Sequence, residues 1–512
     1  MEKNDIREEG EQMSFKKEIG SFKKPAEPVK EEKSSKKKEK KVRQKKPPAK
    51  LPLWLSVLLL AVTYAIVAAV GAICLRNEGQ AWMTVFGFLI TELFSFGAFC
   101  MYALLRKRDH ISNVRNISLI CVCLLAAILP LLFTMRIDVG FMPFMLAILL
   151  LALTSNERIA ILASLPISAA AGIIAGTHGE WVSFAVSMTV ITSSLTSVLS
   201  LNLTKTRSST VIASGVGGIV GVVCYIGIML VSGEMFLSYW ETLLWILGSC
   251  LMSGVLAVGL MPVFETAFDL ASDSRLNELL NNNHPLIKRL MLEAPGTYHH
   301  SLIVATLAEA AAEEIGANAL LCRVCACYHD VGKLRAPLYF KENQHGRNIH
   351  DELDPYESAR SIIAHVSDGV ALLEKHKLPG EVVRIVSEHH GDSVMVYFYD
   401  KAKKQAEEGA VIDEKAFRYP QRKPQSKEAA LLLLADCCEA AVRSMTNPNM
   451  KDVQTMVSNV ITHKWDKKGS MLWDSPLTFV DIKKVERSFL NTFSALYHER
   501  IEYPDLEDID VR

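Results

Sequence analysis

The 512-residue chain is 50% hydrophobic with a mean hydropathy of +0.18, too apolar for a soluble enzyme throughout, so part of it belongs in lipid. Its 56 Lys/Arg balance its 56 Asp/Glu, but residues 1–50 hold 17 basic against 10 acidic side chains, so the zero net charge averages unlike regions and identifies no partner. Eleven cysteines scattered through apolar stretches and the C-terminal region exclude a small disulfide-stapled secreted domain and fit a reducing compartment for the C-terminal part.

The first fifty residues, with the run KSSKKKEKKVRQKK at Lys33–Lys46, lack apolar periodicity and read as a disordered basic tail. Such a tail is suited to anionic lipid headgroups, at about 1 kcal/mol per nearby Lys or Arg. A polymeric nucleic acid is not expected, because apolar sequence starts at Leu51 and makes the bilayer the nearer partner. A cleaved signal peptide is not expected either, since the tail is long and more apolar segments follow.

From Leu51 to about Met261 the chain is a train of apolar segments, and a spanning helix needs about 20 such residues. Eight are predicted, at about 51–74, 81–105, 115–136, 139–154, 157–176, 181–203, 209–232 and 239–262. The fourth and fifth are short enough for a hairpin or re-entrant pair. Loops with Arg106, Lys107, Arg108, Arg115, Arg158, Lys205 and Arg207 fall on the side of the basic tail. Those around Thr177–Glu180 and Ser232–Glu234 are acidic or nearly neutral, so both termini are expected in the cytosol. Glu92 interrupts the second span, as a functional carboxylate or an interhelical hydrogen-bonding group. Nothing resembles a proton relay or a pair of broken helices, so transport has little support.

After Phe264 amphipathic helical patterns replace continuous hydrophobicity. The predicted order is a basic tail (1–50), a transmembrane region (51–263), a juxtamembrane linker (264–283) in which Asp273-Ser274 opens a helix at Arg275–Leu280, and a soluble domain (284–512). Helices are predicted at about 285–293, 298–315 with Gly316 as its stop, 318–329, 357–376, 380–390, 426–444, 449–465 and 479–499. Lys401–Lys427 reads as a polar loop or hairpin. No alternating run is long enough for a sheet, so the fold class is all-α.

Within this domain His300, the adjacent pair His329-Asp330, His365, the pair His389-His390 and Asp436 each fall on or at the end of a predicted helix with aliphatic neighbours. Imidazole and carboxylate together suit Fe, Mn or Zn, and a helical bundle can project them inward. Adjacent helical residues point about 100° apart, so Asp330 is placed to bridge two ions while His329 binds one. Seven ligands exceed one tetrahedral ion and suit two. Two ions about 3.5–4 Å apart clamp a phosphodiester, activate water and stabilise charge on the phosphorus oxygens. Lys333 is a candidate contact for a phosphate oxygen, against the plainer reading of a solvent-facing lysine. The run Cys322, Cys325, Cys327 could suggest zinc, but it sits in an apolar helix without a second pair and reads as buried thiols.

The strings HPLIKRLMLEAPGTYHHSLIVA from His284, CYHDVGKLRAPLYFKENQ from Cys327, HVSDGV from His365, SEHHGD from Ser387, FRYPQRKPQSKEAALLLLADCCEAAVRS from Phe417 and RIEYP from Arg500 resemble the seven-transmembrane HD family, the PgpH-type cyclic di-AMP phosphodiesterases of bacteria. The resemblance implies two Fe or Mn ions on His300, His329, Asp330, His365, His389, His390 and Asp436, and cleavage of cyclic di-AMP to linear pApA. His299, one position before a ligand, is left out. The family usually carries a long extracellular domain after its first membrane helix, whereas only Leu75–Gln80 separates the first two spans here. The rival readings are an HD phosphohydrolase for cyclic di-GMP or a guanosine polyphosphate, and a receptor that binds a nucleotide without turnover. The sequence leaves the oligomeric state open, with a homo-oligomer allowed, and reveals no general acid for the leaving group.

Overall fold

A computed structural model describes residues 51–106, 111–134, 136–201, 207–233, 239–344, 346, 348–407, 410–446, 448–466 and 469–496. The basic tail, Lys107, Arg108, Lys205, Glu234 and the string from Arg500 lie outside the described residues. Those described are helical, joined by turns and short 3-10 segments, with no strand among them.

The membrane region comprises α1 (Leu53–Asn77), α2 (Trp82–Arg106), α3 (Val114–Thr134), α4 (Phe144–Thr154), α5 (Glu157–Ala175), α6 (Glu180–Leu201), α7 (Arg207–Val231) and α8 (Trp240–Ala267). Seven of these are long and apolar enough to cross a bilayer; α4, with eleven residues, is not. Of the two segments expected to be short, the fourth is a short helix, whereas the fifth is long enough to span. An irregular loop and helix α4 together return the chain from the end of α3 to the start of α5. Backbone of that kind is tolerated inside a membrane only where protein covers it and satisfies its polar groups. The inner part of the loop is tied to α8: Asp138 accepts from the Gly140 N–H at 2.6 Å and from Thr242 Oγ1 at 3.1 Å, and Ser249 Oγ donates to the Gly140 carbonyl at 3.3 Å, while Arg136 and Ile137 are exposed. Most of α4 is itself buried among its neighbours.

With that return included, the start of α1 and the end of α8 lie on the same side. The Leu51 N–H donates to the Ser112 carbonyl at 2.7 Å, and Arg115 at the start of α3 donates to the Asp269 carbonyl just past α8 at 3.1 Å. At the opposite end Glu78 pairs with Arg136 at 3.0 Å. Helices α5, α6 and α7 approach closely through small residues, Ser183 Oγ donating to the Gly172 carbonyl at 2.6 Å and Ser197 Oγ to the Ala213 carbonyl at 3.0 Å.

Beyond α8 the chain forms α9 (Asp273–Leu279), capped by Ser272, then α10 (Pro285–Glu293), α11 (Pro295–Ile315), α12 (Ala319–Tyr328), α13 (Pro355–Lys375), α14 (Gly380–Glu388), α15 (Val396–Gln405), α16 (Lys427–Arg443), α17 (Met450–Trp465) and α18 (Phe479–Leu496). Local chemistry sets their ends. Gly316 stops α11 at φ +65°, the left-handed conformation that glycine adopts without steric cost, while Asn318, Asp354 and Ser426 cap α12, α13 and α16. Helix α15 and a 3-10 turn at Glu414–Phe417 occupy part of the stretch predicted as polar loop. They pack Phe398, Ala402 and Phe417 into a small satellite core beside α13. The main core of this domain is separate from that of the membrane helices.

Candidate metal centre

Five segments deliver the seven expected side chains to one place. His300 lies in the second turn of α11, His329 caps α12, Asp330 opens the 3-10 turn Val331–Arg335, His365 sits midway along α13, His389 and His390 follow α14, and Asp436 is central in α16. Two glycines make this convergence possible. A Cβ on Gly332 would lie 1.8 Å from the His365 carbonyl and 2.5 Å from the Gly369 nitrogen, so only glycine lets the turn carrying Asp330 press onto α13. Gly391, at φ +53°, turns the chain sharply after His390.

The ligand atoms form two groups. His300, His329 and Asp436 make one, His365, His389 and His390 the other, and within each group the ligand atoms lie within 4.8 Å of one another. Asp330 stands between them. Its Oδ2 is 3.1 Å from His329 Nε2 and 3.6 Å from His300 Nε2, while its Oδ1 is 3.3 Å from His365 Nε2 and 4.0 Å from His389 Nε2. Asp436 spans the same gap, Oδ1 being 3.1 Å from His300 Nε2 and Oδ2 3.8 Å from His390 Nδ1. His299, the neighbour left out, is exposed.

The rings are oriented as metal ligands require. Nδ1 of His329, His365 and His389 meets the carbonyl three residues earlier, at Ala326 (2.7 Å), Ile362 (2.5 Å) and Val386 (2.6 Å), which turns each Nε2 inward. His329 Nε2 is buried and faces the carboxylate oxygens of Asp330 at 3.1 Å and Asp436 at 3.7 Å, a mixed nitrogen and oxygen setting suited to a divalent ion. Burial, aided by the neighbouring histidines, pushes His389 down to about 3 and His390 well below its usual value, so both stand as neutral donors. Burial also presses on His329, but the charge of Asp330 outweighs it and raises that ring to about 10. Asp330 and Asp436 resist burial too: His329 and Lys333 around the first, His300 and His329 around the second, hold both carboxyls well below the usual range. The donor set therefore fits one or two divalent transition-metal ions.

Lys333, expected at a phosphate, is fixed between two carboxylates, with Nζ 2.7 Å from Asp330 Oδ2 and 2.6 Å from Glu342 Oε1. It also lies 4.9 Å from the centre of the Phe340 ring. Thr297 Oγ1 donates to the same Glu342 oxygen at 3.1 Å, and Asn343 holds Thr297 in turn. Sequence reading missed Glu342, nine residues after Lys333, because the irregular 3-10 turns between them have no fixed period to bring the two together on paper. It also missed Glu439, whose Oε2 is 2.5 Å from His300 Nδ1 and whose side chain is 2% exposed. Glu439 did leave a signal, lying three residues after Asp436 on the same face of α16. The Tyr419 ring stacks on His390 with centroids 4.4 Å apart, and burial and the two site carboxylates push its phenol far up. Cys322 and Cys325 are buried thiols raised well above their usual value, and burial raises Cys327 to about 11.

Residues 297–441 match the HD domain family, and all seven side chains fall inside that match; residues 82–272 match the family described as 7TM receptor with intracellular HD hydrolase. The chain is 39% identical to the cyclic-di-AMP phosphodiesterase PgpH of Bacillus subtilis over 72% of its length and 52% of that protein's. It is 36% identical to the PgpH of Listeria monocytogenes over 72% of its length and 50% of that protein's. The chain thus spans about half the length of these curated relatives. The crystal structure of the L. monocytogenes PgpH HD domain in complex with cyclic di-AMP is 40% identical, with 43% of this chain and 100% of that chain covered and a TM-score of 0.40.

Proposed function

The chain belongs to the family of 7TM receptors with an intracellular HD hydrolase, and from that premise we propose that it is a membrane-anchored phosphodiesterase that opens cyclic di-AMP to linear pApA, lowering the level of this second messenger. The observation that carries the proposal is Asp330, one oxygen turned to each ligand group. Two ions, Mn or Fe, would be held by His300, His329 and Asp436 and by His365, His389 and His390, with Asp330 able to serve both. Bound there, they supply a nucleophile at neutral pH and a clamp for phosphate charge. The chain's own residues do the rest. Lys333, anchored by Glu342, fixes a positive charge at the Asp330 edge for a phosphate oxygen. Glu439 holds the His300 ring in place. In the reaction water forms a bond to one phosphorus, the bond to the 3′ oxygen breaks, and a proton passes to that oxygen.

The working division is a basic tail at 1–50, a membrane region at 51–263, a linker at 264–283 and the HD domain at 284–512. The HD domain is placed in the cytosol. It shares a face of the membrane region with Arg106, Arg115 and Arg158, and basic residues favour that side. The test offers the purified full-length chain, loaded with Mn, cyclic di-AMP, cyclic di-GMP and a guanosine polyphosphate in turn. Cyclic di-AMP should be cleaved fastest; binding without turnover of any of them would sink the proposal.

A further inference from the structure

Past the end of α8, the corner Phe268–Ser272 is tied to the membrane bundle and to the HD domain at once. Asp269 adopts a left-handed backbone, φ +50°, and its carbonyl accepts from the Arg115 guanidinium at 3.1 Å. Its carboxylate Oδ1 accepts from the Gly380 N–H at 3.1 Å, the first amide of α14. Arg275 crosses the same gap. Its Nη1 donates to the carbonyls of Glu265 and Leu270, both at 3.2 Å, and its Nη2 to the carbonyl of Lys377 at 2.6 Å. Lys377, at φ +56°, belongs to the turn that leads into α14.

Helix α14 then runs nine residues, about 13 Å, and delivers His389 and His390 at its far end. Val382, Val383, Ile385 and Val386 are buried along it, against α12, α13 and α16, so a helix this short transmits a push at one end to the other. The His389 ring follows the helix directly through its bond to the Val386 carbonyl. Two of the three ligands in one group thus hang on a helix whose start is capped from the membrane side.

Resting on the reading of the site as a metal centre, we infer that Asp269 is a positioning residue. By capping α14 from the foot of the last membrane helix, it sets where His389 and His390 stand, and so how tightly the His365, His389 and His390 group holds its ion. The juxtamembrane helix also touches the other group's scaffold, Tyr328 donating to the Leu279 carbonyl at 2.7 Å, but no cap of this kind leads to His300 or Asp436 among the described residues.

Two substitutions separate the cap from the backbone. Asp269→Gly keeps the left-handed conformation and removes the acceptor; Asp269→Asn keeps both. Mn(II) is titrated into the full-length, detergent-solubilised chain, with each ion followed by electron paramagnetic resonance and total metal by elemental analysis. The expected result is that Asp269→Gly weakens one of two Mn sites about three- to tenfold while the other is unchanged, and that Asp269→Asn restores wild-type binding. Two sites of unaltered affinity in Asp269→Gly overturn the inference alone. A wild-type chain that takes up fewer than two ions overturns the two-ion reading on which it rests. Equal weakening of both sites, unrescued by Asp269→Asn, assigns Asp269 a general structural role and overturns the inference as well.

Discussion

Gly332→Ala is expected to dismantle half of the metal centre without altering a ligand. The new Cβ would lie 1.8 Å from the His365 carbonyl and 2.5 Å from the Gly369 nitrogen, whereas ordinary contact begins at 3.4 Å. Both neighbours are backbone, so no rotamer change relieves the overlap, and α13 must retreat from the turn by about 1.6 Å, the shortfall at the carbonyl. That retreat carries His365 away from Asp330, now 3.3 Å from it, and metal–ligand distances tolerate only about 0.2 Å. The overpacking itself costs about 1–3 kcal/mol. Elemental analysis after Mn(II) loading of the full-length variant should find about half the metal per chain that the wild type takes up, with a lowered unfolding temperature. Two ions at wild-type affinity would refute the claim that this close approach holds the site together.

Asp330→Asn preserves shape but removes the charge facing both groups, and should reduce cyclic di-AMP turnover about a thousandfold or more together with Mn loading; near-normal loading would contradict its place between two ions. Glu439→Gln, which weakens the carboxylate behind His300, should lower Mn affinity about ten- to hundredfold, read by competition with a chelator, and unchanged affinity would remove Glu439 from the centre. Metal uptake should also depend on pH. His329 is raised to about 10 by Asp330, so in the metal-free protein it holds a proton that a divalent ion must displace. Apparent Mn affinity should therefore rise with pH, with proton release measurable by calorimetry in buffers of different ionisation enthalpy; a pH-independent affinity would argue against it. In the metal-free chain the sign reverses: the His329 contribution to stability is fully present below about 6.5 and lost as pH rises through about 10.

The sequence by itself determined the membrane character and the all-helical class, and it singled out the seven candidate ligand side chains that the fold gathers. Each of these rests on local information: runs of apolar residues, 3.6-residue periodicity, caps such as Gly316, and histidines where a solvated surface would not place them. It left the short fourth segment open between a span and a re-entrant pair. Phe144–Thr154 is apolar throughout, and composition cannot tell that eleven helical residues are preceded by a loop tied to Thr242 and Ser249. Only the tertiary structure decided how the seven ligands divide into two groups, with Asp330 facing both, because that division depends on helices far apart in sequence meeting in space. The same is true of Asp269 capping Gly380, 111 residues away. Contacts at such separations are set by packing and leave no period, spacing or propensity for a sequence to display.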